Sequence, residues 1–250
     1  MSETYILLLT FICAVGLVVP ISATQYNPPW SHNYGFSYPD ADTRSYATYA
    51  AGKQTSDGYN AFNLPNSGAY ISWNNLKDDA VFCFEGHGVI VDGEPGGSIR
   101  FYNGTNSFIN AEYLNYLLLD QGRIANQYFL SSLSNEIQDS LLVVYVSCYS
   151  GKTSSKLGNL VEMSNTKGVD NTIGFSGALL YPYAYYWSDR FWYRCLYGFF
   201  GSHQTIRNAA SGAVGDVMIA YGNPYGTQYM YARYRSPYND YLDPARYGII

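Results

Sequence analysis

Two stretches of the chain are apolar at every position rather than at alternate ones. Residues 80–84 read AVFCF, and residues 141–146 read LLVVYV. Continuous apolar runs of this length mark strands buried on both faces, as in parallel sheets. A third short strand is expected at 171–177 (NTIGFSG) and another at 59–64 (YNAFNL).

Between the strands, apolar residues recur at helical spacing. Residues 42–54, with Tyr46, Ala47, Tyr49, Ala50 and Ala51, form one predicted helix. Residues 67–76, closed by Lys77, Asp78 and Asp79, form another. Asn110 is a candidate cap for a helix carrying Ala111, Leu114, Leu117 and Leu118 on one face. Leu130, Leu133 and Ile137 predict a helical stretch, and Leu157, Leu160 and Val161 predict a helix after the second strand. An aromatic helix runs through Trp187, Phe191, Cys195 and Phe199 to Gly201. A final helix spans about 205–221, with Ile206, Ala209, Ala210, Ala213 and Val217 on its packing face. GVIVDGEPGGSIRFYNGT, from Gly88, reads as a hairpin around the Gly-Gly pair. Residues 25–41 and the Tyr/Arg-rich tail after Tyr229 read as irregular.

Strands and helices alternate, and the best strands are continuous apolar runs. The expected architecture is a three-layer α/β/α sandwich with a mainly parallel sheet. No repeat or linker divides the 250 residues, so a single domain over 25–250 is expected, with its core at about 55–220.

Residues 1–24 stand apart. Tyr5 to Ala23 carries no charge and is rich in Ile, Leu and Val, and small residues around Ala23 offer a cleavage site. This is the pattern of a secretory signal. The leading MSET lacks Lys and Arg and carries Glu3, so an uncleaved membrane anchor is the alternative. Either form puts the rest of the chain outside the cell, secreted or on the surface. The remainder fits that placement, with 13% charged residues and 28 tyrosines. A net charge of −5 does not favour nucleic acid or an anionic membrane surface. Membrane contact is therefore expected only through the anchor. Removing Cys13 with the leader leaves Cys83, Cys148 and Cys195. An odd count in an oxidising compartment suggests a free thiol or an intermolecular bridge. Cys83 and Cys195 are expected to pack in the core rather than pair. Asn103 begins an N-glycosylation sequon, NGT.

The two core strands end in chemistry. The first runs into Glu85-Gly86-His87-Gly88 and the second into Ser147-Cys148-Tyr149-Ser150-Gly151, with Cys148 61 residues after His87. In parallel sheets, functional groups gather at the carboxyl ends of the strands. Neighbouring parallel strands would bring this imidazole and thiol to one edge. A free thiol is mostly protonated at neutral pH, and a histidine beside it can take its proton and later protonate a leaving amine. The backbone N–H groups of Gly88 and Cys148 are candidate donors to an oxyanion. Taken singly, Cys148 reads as a small buried hydrophobe and His87 as a loop residue. A metal site lacks partners, since His32 and His203 have no ligand-like spacing and no C-x-x-C exists. No cofactor is expected.

His-Gly after one strand, followed by SCYSG after the next, resembles the caspase–hemoglobinase (clan CD) cysteine peptidases, which include caspases, metacaspases, legumains and gingipains. The hairpin after His87 resembles the insert after the family's histidine, and TIGFSGALL with the helices after it resembles the segments after the cysteine in gingipain-like and CHAT-type members. The resemblance covers about 55–220. It implies a caspase-like fold and a cysteine endopeptidase acting on protein or peptide substrates through a thioester. His87 would be the base and acid, Cys148 the nucleophile and Gly88 an oxyanion donor. An acidic residue lines the pocket for the side chain before the cut in Arg/Lys-specific members. Glu85, Asp92, Asp170 and Asp189 are candidates here, with Asp170, just before the third strand, placed first. Arg190 or Arg194 would serve an Asp-selective pocket if their helix faced the cleft. The family's first strand is not evident before Asp42, so a short sheet is expected. Two other readings use the same residues: an inactive surface binding or adhesion module, and a transpeptidase.

Overall fold

The computed structural model describes residues 29–91, 93–112, 127–197, 202–235 and 240–244. The leader or anchor expected at 1–24, Asp92, the helix expected beyond Glu112, and Phe199 and Gly201 lie outside them.

The two apolar runs become β3 (Val81–Glu85) and β8 (Leu142–Val146), every residue of both buried. They are parallel neighbours, with Val81 opposite Leu142 and Glu85 opposite Val146. The third expected strand is β9 (Asn171–Phe175), parallel to β8. The sheet continues through β1 (Trp30–Gly35) and β2 (Asn60–Asn63), both parallel. It closes at the other edge with the antiparallel β10 (Met230–Tyr234). Its order is β10-β9-β8-β3-β1-β2.

Among the described residues, five helices accompany it: α1 (Arg44–Ser56), α2 (Ala69–Asp78), α3 (Leu160–Thr166), α4 (Tyr183–Leu196) and α5 (Ile206–Tyr221). Side chains alternate across β3 and β8. Cys83, Val144 and Val146 pack with Ala50 of α1, Trp187 and Phe191 of α4 and Ala213 of α5. Phe82, Phe84, Val143 and Tyr145 face the other way. They pack with Trp73 and Leu76 of α2, Leu160 and Val161 of α3, and a small second sheet. That sheet is β4 (His87–Val91), β5 (Glu94–Tyr102), β6 (Asn106–Asn110) and β7 (Gln127–Phe129). The three-layer α/β/α sandwich is therefore present. Among the described residues, no helix is long and apolar enough to cross a membrane.

Several expectations need correction. The sheet is not short at its amino end, because β1 lies inside the stretch read as an irregular leader. The strand escapes the hydrophobic pattern because Ser31 and Asn33 are fully buried polar residues. Gln54 of α1 satisfies both. Its Oε1 accepts from Ser31 Oγ and from Asn33 Nδ2 at 2.6 Å each, and its Nε2 donates to Asn33 Oδ1 at 3.1 Å. A buried strand tolerates such residues when each polar atom is paired. The core thus begins near residue 30 and reaches beyond 220, through β10 and the fully buried Leu242.

The hairpin exists as β4 and β5, but it turns near Gly93 rather than at the Gly-Gly pair. Gly96 and Gly97 lie within β5 with φ of 121° and 72°, where a Cβ would meet the carbonyl oxygens of Lys152 and Leu157 at 2.6 Å each. Asn110 ends a strand instead of capping a helix. Leu130, Leu133 and Ile137 are buried as expected, but the regular structure there is one 3₁₀ turn, Leu130–Ser132. The helix after β8 starts at Leu160, where Asn159 Oδ1 accepts from the N–H groups of Val161 and Glu162. Cys83 and Cys195 are buried free thiols in the core.

Candidate active site

His87 and Cys148 each lie two residues beyond the paired positions Glu85 and Val146. The strand ends are tied together: Gly86 N–H donates to the Val146 carbonyl at 3.1 Å. Gly88 packs so closely that a Cβ there would lie 1.8 Å from the Cys148 carbonyl oxygen. Only glycine permits that approach.

The turn carrying the thiol is held by Ser150. Its buried hydroxyl donates to the carbonyls of Tyr145 and Ser147 at 3.0 Å, and accepts from Phe175 N–H at 3.0 Å. Tyr149, with φ of 60°, redirects the chain directly after the cysteine. The partly exposed Cys148 Sγ accepts the Leu179 N–H at 3.3 Å and lies 3.6 Å from the Leu179 carbonyl oxygen.

The imidazole is held from the amino-terminal segment. The Tyr38 ring lies against it, centroids 4.3 Å apart, and Tyr38 Oη accepts the His87 N–H at 3.4 Å. His87 Nε2 is 3.2 Å from Asp40 Oδ1. An ionised carboxylate only accepts, so the proton is assigned to Nε2, leaving Nδ1 as the basic nitrogen. Burial, and then the Arg100 guanidinium, push the His87 pKa below its ordinary 6.5, while Asp40 opposes them. The ring is therefore neutral at pH 7, the form that can accept a thiol proton. The slight desolvation of Asp40 is outweighed by its contact with His87, which holds its carboxyl below the usual range.

Both residues line one cavity of about 260 Å³ at the carboxyl edge of the sheet, with Asp40, Tyr46, Glu85, Leu179 and Tyr181 among its walls. Glu85 is 1% exposed. Its Oε1 accepts from Ser188 Oγ at 2.6 Å, while Oε2 is buried with no hydrogen-bond partner. Burial raises its pKa to about 7, against hydrogen bonds from Ser188 and Cys83 that lower it.

The structure does not bring Asp170 to this cavity. Asp170 precedes β9 and so lies at the amino edge of the sheet. Its N–H donates to the Ser140 carbonyl and its carbonyl accepts from Arg235 N–H. A residue before a parallel strand sits opposite the edge where the strands deliver His87 and Cys148. Arg190 and Arg194 turn to Asp216 of α5, with contacts of 3.0 Å and 2.6 Å, and are not cavity residues. Asp189 interacts with Tyr49 of α1. His32 pairs with Asp79 and His203 lies 3.9 Å from Asp57. Among the described residues, no group of three or more His, Cys, Asp or Glu side chains is placed to hold a metal.

Sequence reasoning missed Tyr38, Asp40 and Ser150. The first two lie in the stretch read as irregular, and the role of Ser150 depends on contacts with β8 and β9. Only Ser150 had a signal, its place in the SCYSG turn.

Comparison with solved structures bears on the fold. The crystal structure of the Arg specific cysteine proteinase gingipain R (RGPB) superposes with a TM-score of 0.55 over 82% of this chain, at 9% identity. The fold is gingipain-like. The complex of Porphyromonas gingivalis RgpB pro- and mature domains matches with a TM-score of 0.53 over the same share, also at 9% identity. In each case the match covers 46% of the gingipain chain, so this chain spans less than half the length of the solved structures it matches. No family model and no curated protein matches. At such low identity the gingipain likeness speaks for the fold. The chemistry is argued from this chain's own residues.

Proposed function

We propose that the protein is a cysteine endopeptidase, secreted or attached to the cell surface, with residues 25–250 as one peptidase domain behind a leader or anchor. The observation that carries this reading is the shared cavity, with a neutral histidine and a partly exposed thiol at the ends of two paired strands.

The proposed reaction runs as a thiol–imidazole acyl transfer. His87 Nδ1 takes the Cys148 thiol proton, and the thiolate attacks the carbonyl carbon of the scissile amide. The C–S bond forms as the carbonyl π pair moves to oxygen. The N–H groups of Gly88 and Cys148 are the donors assigned to that oxyanion. The oxyanion then collapses, the C–N bond breaks, and His87 gives its proton to the departing amine. Water replaces the amine, gives a proton to His87 and attacks the thioester. Breaking the C–S bond releases the acid, and the thiolate regains the proton. General acid–base help of this kind contributes about 10²–10⁴ in rate.

Limiting iodoacetamide tests the dyad on folded, reduced protein from about pH 5 to pH 9, with the label mapped by peptide mass. Cys148 should label fastest among Cys83, Cys148 and Cys195, and lose that advantage in His87→Ala. A Cys148 that is inert, or indifferent to His87, leaves a binding module on a peptidase-like fold. Ligated rather than hydrolysed products, read by mass, would instead indicate a transpeptidase.

A further inference from the structure

Tyr38 holds a second charged group besides the imidazole. Its hydroxyl donates to the Arg100 carbonyl at 2.5 Å, and its ring lies 4.8 Å from the Arg100 guanidinium. Arg100 is opposite His87 across β4 and β5, and opposite Phe108 across β5 and β6. Residues directly opposed in an antiparallel ladder share one face of the sheet. Imidazole, guanidinium and phenyl ring therefore form a row. Beside that row, starting one residue past His87, is a second hollow of about 210 Å³, lined by Gly88, Ile90, Arg100, Asn106 and Phe108.

The guanidinium is held in place, but its donors are not used. It carries five N–H groups. Its Nη2 lies 4.0 Å from Asp40 Oδ1, too far for a hydrogen bond. Its Nε is buried with no hydrogen-bond partner. Among the described residues, Asp40 is the only carboxylate within 4.0 Å of it, and the same oxygen is 3.2 Å from His87 Nε2. With His87 neutral, one carboxylate faces one fixed cation. During acyl transfer the imidazole takes the thiol proton and becomes a second, nearer cation. Asp40 then serves His87, and Arg100 loses its counter-charge at that step. The partner that restores the balance has a defined chemistry. A planar guanidinium matches the two oxygens of a carboxylate, and Ile90 and Phe108 offer apolar surface to its stem.

The place of the hollow decides which part of a substrate reaches it. The departing amine must lie within hydrogen-bond reach of the imidazole, so the residues after the cut run on from His87 onto the hairpin. Paired strands lie about 4.8 Å apart and an extended residue spans about 3.3 Å. Two residues are therefore enough to pass from β4 to β5. We propose that Arg100 is a specificity-determining residue on the leaving side of the cut, and that it takes an aspartate or glutamate side chain at the first or second substrate position after the scissile bond. The inference rests on the peptidase reading.

The test uses the full-length chain and internally quenched peptides with mixed residues before the cut. The first or the second position after it carries Asp, Asn, Glu or Gln. The peptides compete in one reaction, and products are mapped by mass. The pairs Asp/Asn and Glu/Gln separate charge from size. At one of the two positions, wild type should favour the acid over its amide by about 10-fold in kcat/KM, and the ratio should shrink at high salt. Arg100→Gln should bring the ratio close to one, and Arg100→Lys should keep part of it. Arg100 also lowers the His87 pKa, so its loss alters the rate on every peptide, and the ratio within a pair cancels that effect. Equal cleavage of acid and amide at both positions overturns the proposal. So does a preference for the amide, or an acid preference that survives Arg100→Gln. If that variant does not fold, the wild-type ratio and its salt dependence decide. The two readings fail differently. A Cys148 whose iodoacetamide labelling is absent or independent of His87, or a reactive Cys148 with no cleaved peptide, removes the peptidase itself. A His87-dependent Cys148 that cleaves without regard to charge after the cut removes only the role of Arg100.

Discussion

The His87 ring sits between opposite charges. Asp40 meets its Nε2, and Arg100, opposite His87 across β4 and β5, stands over the Tyr38 ring at 4.8 Å. Burial and Arg100 lower the imidazole pKa, while Asp40 raises it. Removing either charge should therefore move the titration in opposite directions. Asp40→Asn should shift the His87 pKa further down, and Arg100→Gln should shift it up. The imidazole Cε1–H resonance followed by NMR against pH measures both. The low-pH limb of Cys148 alkylation should move with it. Shifts of the same sign in the two variants would sink this account of the ring. His87 and Cys148 were legible in the sequence because each ends an apolar run, a local signal. Asp40 was not, since it lies 47 residues from His87 in a stretch with no pattern, and only the path of the chain brings it there.

At the scale of elements, what was legible tracks how each strand is buried. β3 and β8 show as apolar runs because both faces are covered by hydrophobic layers. β1 is equally central but carries Ser31 and Asn33, and its interior pairing with Gln54 has no one-dimensional signature. β10 is an edge strand, half-exposed and rich in Tyr and Arg, so it reads like a loop. Junctions between elements depend on tertiary contact even more. Gly88 joins the histidine strand to the cysteine turn, and a Cβ there meets backbone rather than a movable side chain. Gly88→Ala should force the two strand ends apart. It should destabilise the fold by about 1–3 kcal/mol and erase the His87-dependent reactivity of Cys148. Urea melts and iodoacetamide mapping on the same variant check both outcomes. An alanine variant with native stability and an unchanged labelling profile would show that the strand ends are not held this way.

For the molecule as a whole, Glu85 has a cost that can be measured apart from any substrate. Its folded pKa of about 7 stands above the ordinary 4.5, so between those values the folded chain holds a proton that the unfolded chain has released. Stability then falls as pH rises through this window, because the unfolded state binds fewer protons. Below about pH 4.5 the carboxyl is protonated in both states and contributes no slope. Above pH 7 the full cost is present, roughly 3 kcal/mol. Asp79 is raised in the same direction, chiefly by burial, and His87 is lowered, so the wild-type profile alone mixes several groups. The comparison with Glu85→Gln isolates one, since the other groups titrate alike in both proteins. Denaturant melts should find the two nearly equal at about pH 4.5. By about pH 8 the variant should have gained about 2–3 kcal/mol on the wild type, and a pH-independent cost of the unpaired amide would offset both readings equally. A gap that grows through this window would show that the Glu85 carboxyl is strained by burial in the folded chain. A gap that stays flat across the window would mean that the carboxyl titrates near its ordinary value and that its burial carries no measurable cost.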